Sequence, residues 1–215
     1  METYIIGDIH GEITQLKELL NKINYNNKNK IICLGDYIDR GEDSLKTYNF
    51  LREMKHENKN VVLLRGNHEQ MMIDALLNKK IDHNLYKKEE ANIIWQQNGG
   101  GKTILDFKRN KEKLIEAAKW FNKMPYVFEG ENHICVHAGI KPNKRLYQQD
   151  KSDFLWIREE FIKANKLKTN KIVIAGHTPY DKPQVLGNKV LIDTGAGKGG
   201  KITAMDLNKG IFINP

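Results

Sequence analysis

Short apolar runs alternate with amphipathic segments along the first third of the chain. The apolar runs lie at residues 4–6, 31–34 and 61–64. Between them, apolar residues recur at helical spacing, first at positions 13, 16, 19, 20 and 23 and then at positions 45, 48, 51 and 54. A strand–helix–strand–helix–strand order predicts parallel strands joined by helical crossovers, so the carboxyl ends of these strands meet at one edge.

The remaining pattern predicts helices followed by hairpins. Residues 70–125 are mainly helical in pattern, interrupted by QQNGGGKT at 96–103, for which the three glycines predict a loop beside the site. That segment lacks the spacing of a Walker phosphate-binding loop. Residues 189–213 alternate strand-like pieces with glycine-rich turns, which predicts hairpins closing a second, largely antiparallel sheet. We find no internal repeat or linker, so we expect one domain over residues 1–215.

Composition indicates a soluble globular protein. The 215 residues are 40% hydrophobic and 29% charged. No apolar run approaches the ~20 residues that span a bilayer, and no basic region precedes the first strand, so we expect a cytoplasmic protein with no membrane partner. Cys33 and Cys135 lie inside apolar runs without a CxxC pair. Buried thiols in a reducing compartment are favoured over a disulfide or a metal role.

The formal net charge of +8 comes mostly from lysines. They concentrate in three runs, at residues 79–88, 108–113 and 163–171. None of the runs contains a nucleic-acid-binding motif, so solvated helix faces and loops are favoured over a nucleic-acid partner. A positive field would nevertheless speed the arrival of an anionic substrate.

Five apolar runs end in glycine and a side chain that can bind a metal ion. They are YIIGDIHG, IICLGDYIDRG, VVLLRGNHE, ICVHAG and IVIAGHTP, and the candidate ligands are Asp8, His10, Asp36, Asn67, His137 and His177. A mixture of carboxylate, amide oxygen and imidazole suits manganese, iron or zinc better than calcium. The set is too large for one ion. Two ions sharing a carboxylate would use it all, an arrangement known for phosphoester hydrolysis.

Each motif alone has a simpler explanation. GDIHG could be a turn with a satisfied histidine, Asp39 and Arg40 could be a local ion pair, and His68 and Glu69 could begin a helix. Their joint occurrence, always after a predicted strand, is hard to produce by accident and favours a functional site.

These motifs resemble those of the phosphoprotein phosphatase (PPP) family of metallophosphoesterases. GDIHG at 7–11, GDYIDRG at 35–41 and GNHE at 66–69 are similar to its three signature motifs, and HAG at 137–139 and GHTP at 176–179 to the two histidine motifs that follow. WIRE at 156–159 and residues 193–207 are similar to the short bacterial and phage serine/threonine phosphatase branch, which is related to diadenosine tetraphosphatases. The resemblance spans residues 4 to about 206. It implies a calcineurin-like α/β sandwich of two mixed β-sheets flanked by helices, and we expect a monomer.

The resemblance also implies how the ligands are shared. One metal would take Asp8, His10 and Asp36, and the second would take Asp36, Asn67, His137 and His177, so Asp36 would bridge the ions. A hydroxide between the ions would attack the phosphate in line, and no covalent phosphoenzyme is expected. Manganese is the expected metal, with iron or zinc as alternatives.

Residues outside the metal ligands complete the predicted chemistry. His68 is suited to protonate the leaving alkoxide, with Asp39 holding its imidazole. Arg40 and Arg158 can present planar donors to phosphate oxygens, and Asn67 is assigned to phosphate binding as well. For Arg158 an alternative stays open, since WIREEF also has a helical pattern in which this arginine could pair with a neighbouring glutamate.

Three functions are therefore weighed. The first is a metal-dependent phosphatase acting on serine or threonine side chains of proteins, favoured by the DRG and GNHE forms of the motifs. The second keeps the site but cleaves diadenosine tetraphosphate or a related nucleoside polyphosphate. The third is a nucleic-acid or polyphosphate binding protein with a structural metal site, suggested by the lysine excess and opposed by the complete set of ligands and acid.

Overall fold

The computed structural model of the protein describes residues 1–77 and 88–215. The lysine-rich run at 79–88 lies outside the residues whose side chains it describes. The described strands are β1 Thr3–Ile6, β2 Lys30–Cys33, β3 Val61–Leu63, β4 Val127–Glu129, β5 His133–Val136, β6 Ile172–Ala175, β7 Gln184–Leu186, β8 Lys189–Leu191, β9 Ala204–Asp206 and β10 Ile211–Ile213. The described helices are α1 Ile13–Lys22, α2 Ser44–Glu57, α3 Asn67–Leu77, α4 Lys88–Trp95, α5 Gly101–Asp106, α6 Lys111–Phe121, α7 Lys151–Trp156 and α8 Glu159–Ile162.

The first sheet contains the predicted parallel strands. Its strand order is β10-β9-β1-β2-β3. Strand β1 pairs parallel with β2, and β2 pairs parallel with β3. Helices α1 and α2 form the two crossovers, with buried Leu16 and Leu51 among the residues of their apolar stripes. The predicted crossover order is therefore confirmed, and the exits of β1, β2 and β3 lie side by side.

The second sheet corrects the prediction for the last part of the chain. Its order is β4-β5-β6-β8-β7, with β5, β6 and β8 mutually parallel and the two outer strands antiparallel to their neighbours. Residues 189–213 do not close this sheet. Only β8 belongs to it, whereas β9 pairs antiparallel with β1 of the first sheet and β10 pairs with β9. The sequence pattern specifies hairpins, but the choice of sheet depends on distant partners that it does not encode locally.

Alternating side chains divide the core into layers. In β1, Ile5 faces the second sheet while Tyr4 and Ile6 face the helices, and Ile174 of β6 faces back toward the first sheet. The outer face of the second sheet packs against α7 and α8. The fold is therefore two mixed β-sheets flanked by helices, as expected. Both cysteines are buried and unpaired.

The QQNGGGKT segment is helical on both sides of a kink at Gly99, so the predicted loop is reduced to that kink. Residues Gln96, Gln97 and Asn98 continue the helical conformation of α4, and α5 begins at Gly101 beyond the kink. Gly99 breaks the regular geometry with φ of 111°, a conformation that favours glycine. The Asn98 side chain donates to the Ile94 carbonyl across 2.8 Å and so satisfies a carbonyl of the last helical turn before the kink. None of the described helices is long and apolar enough to cross a membrane.

Candidate active site

The predicted ligands gather where the strands of both sheets end. Asp8 and His10 follow β1, Asp36 follows β2, Asn67 begins α3 after β3, His137 follows β5, and His177 follows β6. All six are at most 5% exposed. Left-handed backbone conformations also concentrate here, at His10, Asp36, Asp39, Arg40 and His177, with φ between 47° and 73°. Such strain is typical of functional sites, where the surrounding structure has to hold it.

One ligand group centres on His137. Its Nδ1 donates to the Leu34 carbonyl across 3.1 Å, so Nε2 carries the lone pair. That Nε2 lies 2.8 Å from Oδ1 of Asn67, 3.2 Å from Nδ1 of His177 and 3.5 Å from Oδ1 of Asp36. Burial lowers the pKa of His137 to about 3, so the ring is neutral. Four atoms that can each offer a lone pair therefore lie close together.

A second group centres on His10. Its Nδ1 donates to the Ile38 carbonyl across 3.0 Å, which leaves Nε2 as an acceptor. Nε2 lies 3.5 Å from Oδ2 of Asp36 and 4.0 Å from Oδ2 of Asp8. It also accepts a hydrogen bond from Nη1 of Arg40 across 2.7 Å. Asp36 thus contributes one carboxylate oxygen to each group, as a bridging ligand would.

These residues fit a pair of divalent cations. Burial, followed by the Asp193 and Asp36 charges, raises the pKa of Asp8, and burial followed by Glu69 raises that of Asp36. A cation bound between these residues would lower the pKa of both carboxyl groups and offset the repulsion between the facing lone pairs. Nδ1 of His177 faces Nε2 of His137 and Oδ1 of Asn67 across 3.2 and 2.9 Å, a set of close acceptors that a cation would bring together. The mixed oxygen and nitrogen donors suit a transition metal or zinc rather than calcium.

The two sheets are joined directly at the site. The backbone N–H of His177 donates to both carboxylate oxygens of Asp8, across 3.0 and 3.2 Å. Gly176 makes this approach possible, because a Cβ there would lie 2.1 Å from Oδ1 of Asp8. The exits of β1 and β6 are therefore held in contact by a predicted ligand from each sheet.

His68 and Asp39 form a buried pair beside the ligand groups. Nδ1 of His68 lies 2.7 Å from Oδ2 of Asp39, and neither side chain is more than 2% exposed. Desolvation, followed by the charge of Arg40, lowers the pKa of His68, and burial raises that of Asp39 to about 7. Nε2 of His68 lies 3.9 Å from Oδ2 of Asp36. His68 is thus placed for proton transfer and also lies close enough to His10 and Asp36 to be a possible ligand.

Two residues that the sequence analysis missed hold Asp39 in place. Nε1 of Trp95 donates to both carboxylate oxygens, and Oγ1 of Thr103 donates to Oδ1 across 2.5 Å. Both come from the segment around QQNGGGKT, and both are fully buried. A buried tryptophan needs a partner for its N–H, so the position of Trp95 directly before a glycine-rich segment was the available signal.

Glu69 supports the loop that carries Asp36. Its carboxylate accepts the backbone N–H groups of Asp36, Tyr37 and Gly66, across 2.7 to 3.0 Å. The side chain is fully buried. The sequence analysis had offered a helix start as the simpler explanation for this residue; the structure shows that it also ties the exit of β2 to the exit of β3.

A cleft of about 260 Å³ opens over these groups. Arg40, Arg158 and Asn67 line it, as do His68, Asn98, Asp193 and Lys198. Arg158 lies between α7 and α8, where its Nη1 donates to the His177 carbonyl and to Oγ1 of Thr178 across 3.1 and 3.2 Å. Among the described residues no carboxylate lies within ion-pair distance of Arg158, so the alternative of a glutamate partner is not observed.

Asp193 is a further residue that the sequence analysis did not single out. It follows β8, is 5% exposed and lines the cleft. Its Oδ1 accepts the Gly195 N–H across 2.9 Å, and burial raises its pKa. Asp193 stands at a sixth strand exit. The rule that identified the predicted ligands, a polar side chain directly after a parallel strand, would have identified Asp193 if β8 had been predicted as parallel.

The sequence matches the calcineurin-like phosphoesterase family over residues 1–201. Serine/threonine-protein phosphatase 1 of Salmonella typhimurium is 30% identical over 211 residues, which cover 93% of this chain and 89% of that protein. An asymmetrical bis(5'-nucleosyl)-tetraphosphatase of Oceanobacillus iheyensis is 29% identical, with 100% of this chain and 92% of that protein covered.

The fold also matches a solved structure. A crystal structure of a candidate diadenosine tetraphosphatase superposes with a TM-score of 0.73, covering 100% of this chain and 92% of its own. The two sequences are 17% identical, so this likeness concerns the fold alone.

Proposed function

Because this chain belongs to the calcineurin-like phosphoesterase family within the PPP phosphatases and is a metal-dependent hydrolase, we propose that it removes phosphate from phosphorylated serine and threonine side chains of proteins. The buried His68–Asp39 pair carries this proposal. A serine or threonine alkoxide is a far more basic leaving group than a phosphate, so its departure gains most from a positioned acid.

Two metal ions complete the site in this proposal. Asp8, His10 and Asp36 would hold one ion, and Asp36, Asn67, His137 and His177 would hold the other. Ions bound there would supply the nucleophile, because they lower the pKa of water toward neutrality and favour an in-line attack. Manganese is the metal we expect.

The remaining groups act on the phosphate and the leaving group. Arg40 and Arg158 line the cleft and can each offer a fork of donors to phosphate oxygens, offsetting charge in the transition state. Oδ1 of Asn67 faces the two histidines, so its amide nitrogen is the group that can donate to a phosphate. His68 would give its proton to the departing oxygen, and Asp39 would hold the ring in position.

The second candidate is hydrolysis of a dinucleoside tetraphosphate. The 29% identical tetraphosphatase favours it, and the ligand set serves either reaction. A structural metal site without catalysis is the third, and the buried acid pair argues against it.

Side-by-side kinetics test the proposal. The protein is supplied with manganese and assayed on p-nitrophenyl phosphate, a phosphoserine peptide and diadenosine tetraphosphate. We expect turnover of the first two, with a higher kcat/KM for the peptide than for the dinucleotide. A higher kcat/KM for the dinucleotide would select the second candidate, and no turnover at any metal concentration would leave only a binding role.

We also propose that residues 1–215 form a single catalytic domain that acts as a monomer. Analytical ultracentrifugation of the active protein checks this. A cytoplasmic location stays a prediction.

A further inference from the structure

A second surface groove adjoins the catalytic cleft. Its volume is about 530 Å³, and Pro179, Gly195 and Lys198 line both depressions. A substrate whose phosphate lies in the cleft can therefore extend into the groove without leaving the protein surface.

The groove is positively charged. Lys182, Lys198 and Lys201 line it and are exposed, against one acidic lining residue, Asp181. Among the described residues, none of the three ammonium groups has a carboxylate within ion-pair distance. Lys198 also lines the catalytic cleft. Burial lowers the pKa of His68 most, followed by the charge of Arg40 and then by that of Lys198.

The backbone that carries Lys198 and Lys201 is well fixed. Residues 194–201 fold on themselves, with the N–H groups of Lys198 and Gly200 both donating to the Gly195 carbonyl across 3.0 Å. Pro179 and Pro183 also line the groove. Between them, the backbone N–H of Tyr180 donates to the Asp193 carbonyl across 3.1 Å. A groove that is already ordered loses little conformational entropy when it binds.

We propose that this groove binds a second anionic group of the substrate, beyond the phosphate that is hydrolysed. The inference rests on the proposed phosphoesterase function. Lysine ammonium groups attract phosphate and carboxylate alike, because they act as point charges rather than as shaped forks. The second anion is thus either a further phosphate of a nucleoside polyphosphate or an acidic side chain beside a phosphoserine.

A double variant tests the groove against a matched control. Lys182→Ala with Lys201→Ala removes two charges from the groove. Lys113→Ala with Lys119→Ala removes two exposed charges from α6, which lines neither the groove nor the cleft. The two variants change the net charge equally, so both should lose the same long-range electrostatic attraction for anionic substrates.

The variants are compared on four substrates: p-nitrophenyl phosphate, a phosphoserine peptide with neutral neighbours, the same peptide with acidic neighbours, and diadenosine tetraphosphate. For the groove variant we expect kcat/KM on a multiply anionic substrate to fall roughly tenfold more than on p-nitrophenyl phosphate, and the difference to shrink at high salt. Selective loss on the tetraphosphate identifies a phosphate as occupant, and selective loss on the acidic peptide identifies carboxylates.

Equal losses on all four substrates, or the same selectivity in the α6 variant, would overturn the inference. Failure of the proposed function is distinct and is measured on the unaltered protein, which would then either not turn over p-nitrophenyl phosphate with any divalent metal or prefer the dinucleotide to the peptide.

Discussion

The hydroxyl of Thr103 donates a hydrogen bond of 2.5 Å to Oδ1 of Asp39, the residue whose other oxygen contacts the ring of His68. Thr103 and Asp39 lie far apart in sequence, and both side chains are fully buried. The orientation of His68, the proposed acid, therefore depends on α5, where the hydrogen bonds described for the Thr103 hydroxyl reach neither ligand group.

Thr103→Val removes this donor at nearly constant volume. A lost hydrogen bond to a charged group costs about 1.5–3 kcal/mol, so we expect kcat to fall roughly 10- to 100-fold on a phosphoserine peptide. The loss should grow with the basicity of the leaving group across a series of aryl phosphates, because Asp39 acts through His68. Thr103→Ser, which keeps the hydroxyl, should restore most of the activity. A loss that is the same for every leaving group would contradict a positioning role.

His68→Asn removes the proposed acid. We expect kcat to fall roughly 10²- to 10⁴-fold on poor leaving groups and much less on 2,4-dinitrophenyl phosphate, whose departure needs no proton. Metal content, measured by mass spectrometry of the purified protein, should stay that of the unaltered protein. Because His68 also lies near His10 and Asp36, a loss of one ion instead would assign it to the metal.

Asp36→Asn removes the negative charge of a carboxylate that contributes one oxygen to each ligand group. We expect both ions to bind much more weakly, as measured by titration calorimetry with manganese. Asp150→Asn, at an exposed position, is the control and should retain the metal stoichiometry of the unaltered protein. A variant at Asp36 that still binds two ions tightly would refute the bridging assignment.

Gly197→Ala and Gly199→Ala form a matched pair. Both glycines have positive φ, 71° and 88°, so both substitutions carry the backbone strain of an L-residue in that region. Only at Gly197 would the new Cβ strike a neighbour, lying 2.6 Å from Cβ of His10. We expect Gly197→Ala to be less stable than Gly199→Ala by about 1–3 kcal/mol in urea unfolding, the usual penalty for overpacking. Equal stabilities would mean that the loop moves freely away from His10.

Glu69→Gln tests the support of the loop after β2. The amide turns one acceptor into a donor that faces backbone N–H groups, so we expect about 1–3 kcal/mol of lost stability. Metal affinity should fall as well, since Asp36 lies on that loop. Glu53→Gln, at an exposed position of α2, is the control and should change stability little. Unaltered metal affinity would show that Asp36 holds its position without this support.

The sequence predicts the strand exits well because each exit is a local feature. A glycine, a turn and a polar side chain within a few residues specify where Asp8 or Asp36 stands relative to its own strand. Parallel crossovers then bring the exits together, so their convergence follows from the order of elements. The role of each side chain in catalysis stays a prediction that the experiments above address.

Other features depend on partners far away along the chain and escaped prediction. The placement of β9 beside β1 rests on pairs such as Tyr4 with Asp206. Residues 96–103 are helical on both sides of Gly99, and Trp95 and Thr103 contact Asp39 from the two sides of this kink, which a local pattern rich in glycine does not reveal.

The position of β1 has a consequence for synthesis on the ribosome. One of the two neighbours of this strand in the sheet is β9, which is synthesised about 200 residues later. Until β9 has left the exit tunnel, one edge of β1 exposes unpaired backbone groups and the apolar side chains of Ile5 and Ile6. Such an edge is a template for aggregation, so the nascent chain has to be shielded or to fold late. Asp8 and His177, one predicted ligand from each sheet, can likewise meet only after β6 has been synthesised.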